Sequence, residues 1–287
     1  MSRIAYVNGR YVPHREASVH VEDRGYQFAD GVYEVCTVHK GVPMEEKGHL
    51  DRLERSLREM RIEMPMSRAA FSLAMRETIR RNLVEEGIVY LQVTRGVAPR
   101  DHSFPAKPVR AAVVMTARNA KPHPKPWLED GVKVIVVPDI RWGRRDIKTV
   151  GLLPNCMAKQ AAREKGAYEA ILVDADGVVT EGSSTNVWIV TEGGALVTRP
   201  PSNEILNGVT RLEIIKLAAA EGLRFEERTF TLEELRRARE VFVSSASSFV
   251  MPVTEVDERP VANGKPGAVS GKLRAAYLRH MEAQANA

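Results

Sequence analysis

Hydrophobic and polar residues change their period along this chain, and the changes mark out its elements. Residues 4–7 and 10–12 are β-rich and flank Asn8-Gly9, the residue pair favoured in a type I′ hairpin turn. Residues 32–38 alternate in the strand period, and Lys40-Gly41 turns the chain out of them. Leu50, Leu53, Leu57 and Met60 then recur at helical spacing until Pro65. Ser67 is placed to cap a second helix, with Phe71, Met75, Ile79 and Leu83 on one side and an end near Gly87. Residues 88–94 and 109–117 read as strands, so the first part predicts strands with helices grouped between them.

Periodicity then lapses over residues 118–127, where Pro122, Pro124 and Pro126 alternate. That spacing predicts a stiff extended linker over 119–127, separating a smaller domain, 1–118, from a larger one, 128–287. The second part opens with the apolar run 132–137. Pro154 suits a first helical residue and Gly166 a cap past the last turn. Short strands follow at 170–173, 178–180, 187–190 and 195–197, with Asp176-Gly177 and Gly193-Gly194 as turns. Helices are expected at 209–222, 232–237 and 267–283, with a strand at 241–244. The fold class is therefore α+β, two domains with mixed or antiparallel sheets.

Composition narrows the function. The chain has 287 residues, 44% of them apolar, which supports a packed core and excludes a disordered chain. Lys plus Arg total 42 against 37 for Asp plus Glu, a net charge of +5 with no block of like charge. Nucleic acid is a poor partner for so diffuse an excess, whereas small anionic substrates suit it. No apolar run is long enough for a membrane helix, and residues 1–11 lack the apolar centre of a signal peptide. Cys36 and Cys156 form no CxxC, and the seven histidines show no metal-binding spacing. A reducing cytoplasm is the simplest location, with no disulfide scaffold and no metal.

No GxSxG, no GxxxxGK[ST] and no GxGxxG after a strand is present. Four other segments carry chemistry. Asp146-Ile147-Lys148-Thr149 follows a basic stretch and precedes a helix; alone, Lys148 reads as a solvated surface lysine, but a lysine in a cleft beside other cations can form a Schiff base. The segment 179–186 puts Glu181 at a strand end before Gly and small hydroxyl residues. That is a polar rim, or a carboxylate aimed at a pyridinium nitrogen. In 205–211, Gly208 precedes an amphipathic helix, and a plain glycine cap and a phosphate site fit the spacing equally well. In 94–102 a strand enters a Gly/Pro loop bearing Arg100 and His102, by itself a basic surface loop. The other reading is a carboxylate trap, since a guanidinium grips a carboxylate at two points.

Taken together, the segments resemble the class IV, fold-type IV pyridoxal-phosphate-dependent aminotransferases in order and spacing across nearly the whole chain. The likeness begins at Glu22-Asp23-Arg24-Gly25-Tyr26-Gln27-Phe28-Ala29-Asp30-Gly31-Val32-Tyr33-Glu34. It passes through His49-Leu50-Asp51-Arg52-Leu53 and the four segments, and closes at Phe242-Val243-Ser244-Ser245. TEGSSTN and LNGVTR are its most specific parts. Within the family it resembles the D-amino-acid transaminases, through Tyr33 and the RGxxPRxH loop.

The resemblance implies two α/β domains with pyridoxal 5'-phosphate between them, Lys148 as Schiff-base lysine and proton shuttle, and Glu181 as partner of the ring nitrogen. It implies Arg52 as a clamp on the phosphate, Val209 and Thr210 as the phosphate-binding helix start, and Leu206 packed under the ring. Ser245 is implied as a phosphate contact, although the family usually has a threonine where this chain has Ala246. Tyr33, Arg100 and His102 are implied as the substrate-carboxylate residues, with the loop lent by a second subunit in a homodimer. The implied reaction is ping-pong transfer from D-alanine to 2-oxoglutarate, giving pyruvate and D-glutamate. The alternatives are a branched-chain L-amino-acid aminotransferase, which typically lacks the PRxH pair, and an aminodeoxychorismate lyase.

Overall fold

The computed structural model describes residues 3–286, and the chain separates into two compact units. One runs to Lys121 and takes back Ile147–Gly151 and the residues from Gln284 on; the other holds Pro122–Asp146 and Leu152–Ala283.

The first unit is built on an antiparallel sheet of β1 (Ile4–Val7), β2 (Arg10–Pro13), β3 (Gly31–His39), β4 (Val42–Pro43), β5 (Gly87–Thr94) and β6 (Ala112–Asn119), in the order β2-β1-β6-β5-β3-β4. Asn8 and Gly9 both take positive φ, 48° and 93°, as the tight hairpin requires. The helices are α1 (Arg24–Phe28), α2 (Glu46–Glu59) and α3 (Arg68–Arg81). Ser67 caps α3 by accepting from Ala70 N. Val32, Cys36 and Val38 on β3, Leu50, Leu53 and Leu57 on α2, and Phe71, Met75 and Ile79 on α3 close into one core. Leu83 does not join it. The helix ends at Arg81, Leu83 turns to φ 51°, and its side chain is exposed. Expected as a strand from residue 109, β6 starts at Ala112.

The second unit holds α4 (Lys125–Glu129), β7 (Val132–Pro138), α5 (Leu153–Glu164), β8 (Glu169–Val173), β9 (Val179–Gly182), β10 (Asn186–Val190), β11 (Leu196–Thr198), α6 (Val209–Ala220), β12 (Phe225–Glu227), α7 (Leu232–Arg237), β13 (Glu240–Ser245), β14 (Phe249–Val256), β15 (Arg259–Pro260) and α8 (Ala268–Ala285). Its sheet runs β12-β11-β10-β13-β14-β7-β8-β9, with β15 paired to β14. The pairs β11/β12, β14/β7 and β7/β8 are parallel and the rest antiparallel, so the sheet is mixed. One core packs Ile171, Val187, Ile189, Val241, Val243 and Met251 with Phe230 and Leu235. A smaller one packs Ala158 and Ala162 of α5 on Ile135, Ala170 and Leu172.

Further features differ from the sequence pattern. Residues 119–127, expected to be extended, hold the end of β6 and the start of α4, where Pro126 sits in the first turn and Trp127 packs edge-on against Tyr168 at 5.1 Å. Strand β14 has no counterpart in the sequence reading. Pro252 interrupts its pattern, yet β14 lies inside the sheet between β13 and β7, with a register shift at Val253/Glu255. No helix among the described residues is long and apolar enough to cross a membrane.

Candidate active site

The Lys148 segment belongs by its contacts to the first unit, not to the C-terminal part where the sequence alone puts it. Backbone pairing is the reason. Tyr33 N donates to Lys148 O at 3.0 Å, Val150 N donates to Gly31 O at 3.0 Å, and Val32 bridges Thr149. Residues 147–151 are thus strapped along the start of β3. Lys148 Nζ lies 4.3 Å from the Tyr33 ring centroid and pairs with no carboxylate among the described residues.

Neighbours on a strand point to opposite faces, and β3 uses both. Tyr33 stacks on Tyr90 at 5.8 Å, and Tyr90 donates to Gln92 Oε1 at 2.7 Å. Burial, with Tyr33 alongside, pushes the Tyr90 hydroxyl up to about 12, so it stays a donor. Glu34 points into the helices and is fully buried. Arg52 of α2 grips it at two points, and His49 Nδ1 lies 2.8 Å from Glu34 Oε2. Burial alone would raise the Glu34 carboxyl; the Arg52 guanidinium and then His49 outweigh that and bring it to about 2. Burial also lowers His49, which favours the neutral ring. An ionised Glu34 can only accept, so Nδ1 carries the proton and Nε2 is left a buried acceptor without a partner.

Arg52, which the sequence reading expects as a phosphate clamp, gives two of its N–H groups to Glu34. Arg100 and His102 occupy the exposed loop between β5 and β6. Their contacts are to Phe28: the Arg100 guanidinium lies 4.6 Å from its centroid and the His102 ring 5.5 Å. Among the described residues neither makes a hydrogen bond or ring contact with Tyr33, whose ring contacts are to Tyr90 and Lys148.

In the second unit, Glu181 ends up buried on β9. One of its oxygens accepts from Arg141 Nη1; the other accepts from Asn186 Nδ2 at 3.2 Å and Leu206 N at 3.1 Å. Arg141 also grips Asp139, from Nε to Oδ1 at 2.9 Å and from Nη2 to Oδ2 at 2.7 Å. Burial opposes the Arg141 charge, and Asp139 with Glu181 outweighs it, so the guanidinium stays charged. Burial likewise opposes the Asp139 charge, and Arg141 keeps the carboxyl below its ordinary range.

The same Asn186 Nδ2 donates to Leu206 O at 2.9 Å, tying Glu181 to the loop before α6. That helix starts at Val209 behind Gly208, which offers no side-chain cap to the first-turn amides, those of Val209 and Thr210 among them. Val209 and Thr210 are buried, and Leu206 is half-buried. Ser245, at the end of β13, has its hydroxyl 2.7 Å from that of Ser248 and accepts from Ser248 N, which folds the residues after it into a turn.

Glu34, Asp139 and Arg141 are the residues that reading the sequence misses. Arg141 and Asp139 leave a faint signal: an acid and a base two residues apart at a strand end, where Asp139 also accepts from Arg141 N. Glu34 stands in an apolar strand as a lone acid, and a buried acid implies a buried base.

The first unit thus offers an amine that pairs with no carboxylate among the described residues, and the second offers a buried carboxylate held by Arg141, Asn186 and the Leu206 amide and a helix start without a side-chain cap. Residues 31–256 match the family "Amino-transferase class IV", and the chain belongs to that family. The D-alanine aminotransferase of Bacillus licheniformis is 40% identical over 269 residues, 94% of each chain. Among solved structures, the branched-chain amino acid aminotransferase of Escherichia coli superposes with a TM-score of 0.89 at 26% identity, over 97% of this chain and 94% of that one. A branched-chain amino acid aminotransferase from T.th., solved with pyridoxamine 5'-phosphate, gives 0.88 at 26%, over 97% and 94%. The fold is that of the fold-type IV aminotransferases, and the protein is an aminotransferase.

Proposed function

We propose that the protein moves the amino group between D-amino acids and 2-oxo acids with pyridoxal 5'-phosphate, D-alanine and 2-oxoglutarate being a representative pair. The observation that carries this reading is the 40% identity to a D-alanine aminotransferase along 94% of both chains, against 26% to the Escherichia coli branched-chain enzyme that shares the fold. The PRxH loop with Arg100 and His102 fits the same side.

The residues suit the cofactor. First-turn amides of α6 without a cap suit a phosphate, and with Thr210, Ser245 and Arg52 they would hold it. Glu181, kept as an acceptor by Arg141, Asn186 and the Leu206 amide, would face the ring nitrogen. Lys148, which pairs with no carboxylate among the described residues, would carry the covalent link. When bound, the cofactor supplies the electron sink that makes the substrate Cα–H acidic.

The chain's own residues do the rest. Lys148 Nζ would take the proton from Cα as a base and pass it on as an acid to the cofactor's C4′ carbon, so that the amino group stays with the cofactor. Arg141 and Asn186 hold Glu181 in one orientation while charge develops, so little reorganisation is needed. Arg100 and His102 fix the substrate carboxylate, which decides which enantiomer turns its Cα–H toward Nζ. By the family resemblance the loop serves a second copy and the active form is a homodimer, which fits Arg100 and His102 resting on Phe28; activity in a particle that light scattering measures as a monomer contradicts this.

Half-reaction spectra of the purified holoenzyme with paired D- and L-amino acids test the reading. D-alanine should convert the cofactor to its aminated form and 2-oxoglutarate should reverse the change, while L-leucine does neither. Conversion by L-leucine at a comparable rate overturns the D assignment. Pyruvate release without an oxo-acid acceptor would instead reveal a lyase.

A further inference from the structure

Cations and aromatic rings alternate from the core of the first unit to its surface. The inner end is Asp30, a buried carboxylate that accepts from Arg24 Nε at 2.7 Å and from Arg95 Nε at 2.7 Å. The Arg95 guanidinium lies 3.7 Å from the Phe104 centroid, and Arg24 lies 5.9 Å from Phe104 and 4.8 Å from Phe28. On Phe28 rest Arg100 at 4.6 Å and His102 at 5.5 Å. Arg24 Nη1 also donates to the carbonyl of Asp101, the residue between those two, at 2.7 Å.

Two of the three arginines share Asp30; Arg100 has no ion pair among the described residues, and the Phe28 ring is what it rests on. A ring face attracts a guanidinium without neutralising it. It therefore orients Arg100 while leaving the full charge for a carboxylate, which an acidic partner would not do. The short helix α1, capped by Asp23 and closed by Ala29 in the left-handed conformation, fixes Phe28.

We propose that Phe28 is a positioning residue for substrate: its ring holds Arg100 and His102 in the geometry that grips the carboxylate, and Arg24 fixes the backbone between them. The inference rests on Arg100 and His102 being the substrate-carboxylate residues.

Steady-state kinetics of the holoenzyme with D-alanine and 2-oxoglutarate test it, using Phe28→Leu, Phe28→Tyr, Arg100→Ala and the Phe28→Leu/Arg100→Ala double variant. Phe28→Leu should raise KM for D-alanine about five- to thirtyfold, the loss of two ring contacts, and leave kcat within about twofold, as expected when bound substrate and transition state lose the same interaction. Phe28→Tyr should restore KM. In the double variant the effects should be less than multiplicative, because Phe28 acts through Arg100. Should Phe28→Leu fail to fold, fluorinated phenylalanines at position 28 make the same test: they keep the shape, weaken the ring's negative face, and should raise KM with each fluorine. An unchanged KM in Phe28→Leu or along the fluorine series, or fully multiplicative effects, overturns the positioning role while Arg100→Ala still raises KM. If Arg100→Ala itself leaves KM unchanged, the trap reading fails and this inference falls with it.

Discussion

Arg52 Nε and Nη2 meet Glu34 Oε1 and Oε2 at 2.8 and 2.7 Å, joining α2 to β3 around a carboxylate with no exposure. The pair orients Arg52 from behind, which suits a residue proposed to face a phosphate. It also sets a stability limit in acid. The Glu34 carboxyl lies at about 2 in the fold against 4.5 ordinarily. A lowered value stabilises the fold above 4.5, and the gain disappears as pH falls through 4.5 toward 2. Its size is on the order of 3 kcal/mol. Glu34→Gln removes the negative charge beside the buried Arg52 guanidinium and should cost about 3–5 kcal/mol near neutral pH. In denaturant unfolding, the difference between parent and variant should shrink only below pH 4.5. A difference that stays constant down to the acid transition would show that the pair does not set stability.

Lys148→Ala removes the amine strapped against β3 and should abolish transamination. Borohydride treatment of the parent with cofactor should add the mass of the reduced cofactor to the peptide bearing residue 148; the variant should gain none. Lys159 is the alternative amine nearest in sequence, but it already donates to Tyr168 O at 2.5 Å and lies 3.5 Å from Glu169. Cofactor mass found on Lys159 in the parent would move the role there.

Regular periodicity made most elements readable from the chain. The alternation at 32–38 and the leucine spacing of α2 each have one buried face, and the buried face sets the period. Strand β14 escaped because Pro252 breaks the local signal, and α1 because five residues cannot show a period. The site was legible unevenly. Glu181, Arg52 and Lys148 stand out as candidates through their motifs, whereas the partners that fix them lie far off in sequence. Glu34 meets Arg52 across 18 positions and Arg141 meets Glu181 across 40. Residues 147–151 join the first unit through backbone hydrogen bonds to β3, which side-chain patterns do not reveal.

Glu181→Gln keeps the shape and removes the charge. Arg141 retains Asp139, so the fold should survive with a modest loss of stability. A charged hydrogen bond contributes about 1.5–3 kcal/mol, and a loss of that size lowers kcat by roughly ten- to a hundredfold. Stopped-flow spectra of the D-alanine half-reaction measure this directly. A variant as fast as the parent would remove Glu181 from its proposed place at the ring nitrogen.

Gly208→Ala tests the join between Glu181 and α6. Gly208 has φ −63°, which alanine tolerates, so the effect is steric alone. An added Cβ would lie 2.2 Å from Asn186 Oδ1 and 3.2 Å from Arg211 Cβ. Asn186 must then move, and it is the donor to both Glu181 and the Leu206 carbonyl. Overpacking of this kind costs about 1–3 kcal/mol, and the cofactor should bind more weakly by fluorescence titration. Adding Asn186→Ala separates the two effects. It removes the obstruction and should recover stability, yet it also removes the donors to Glu181 and Leu206, so cofactor affinity should stay low. Recovery of both together would mean that Asn186 fills space without orienting Glu181.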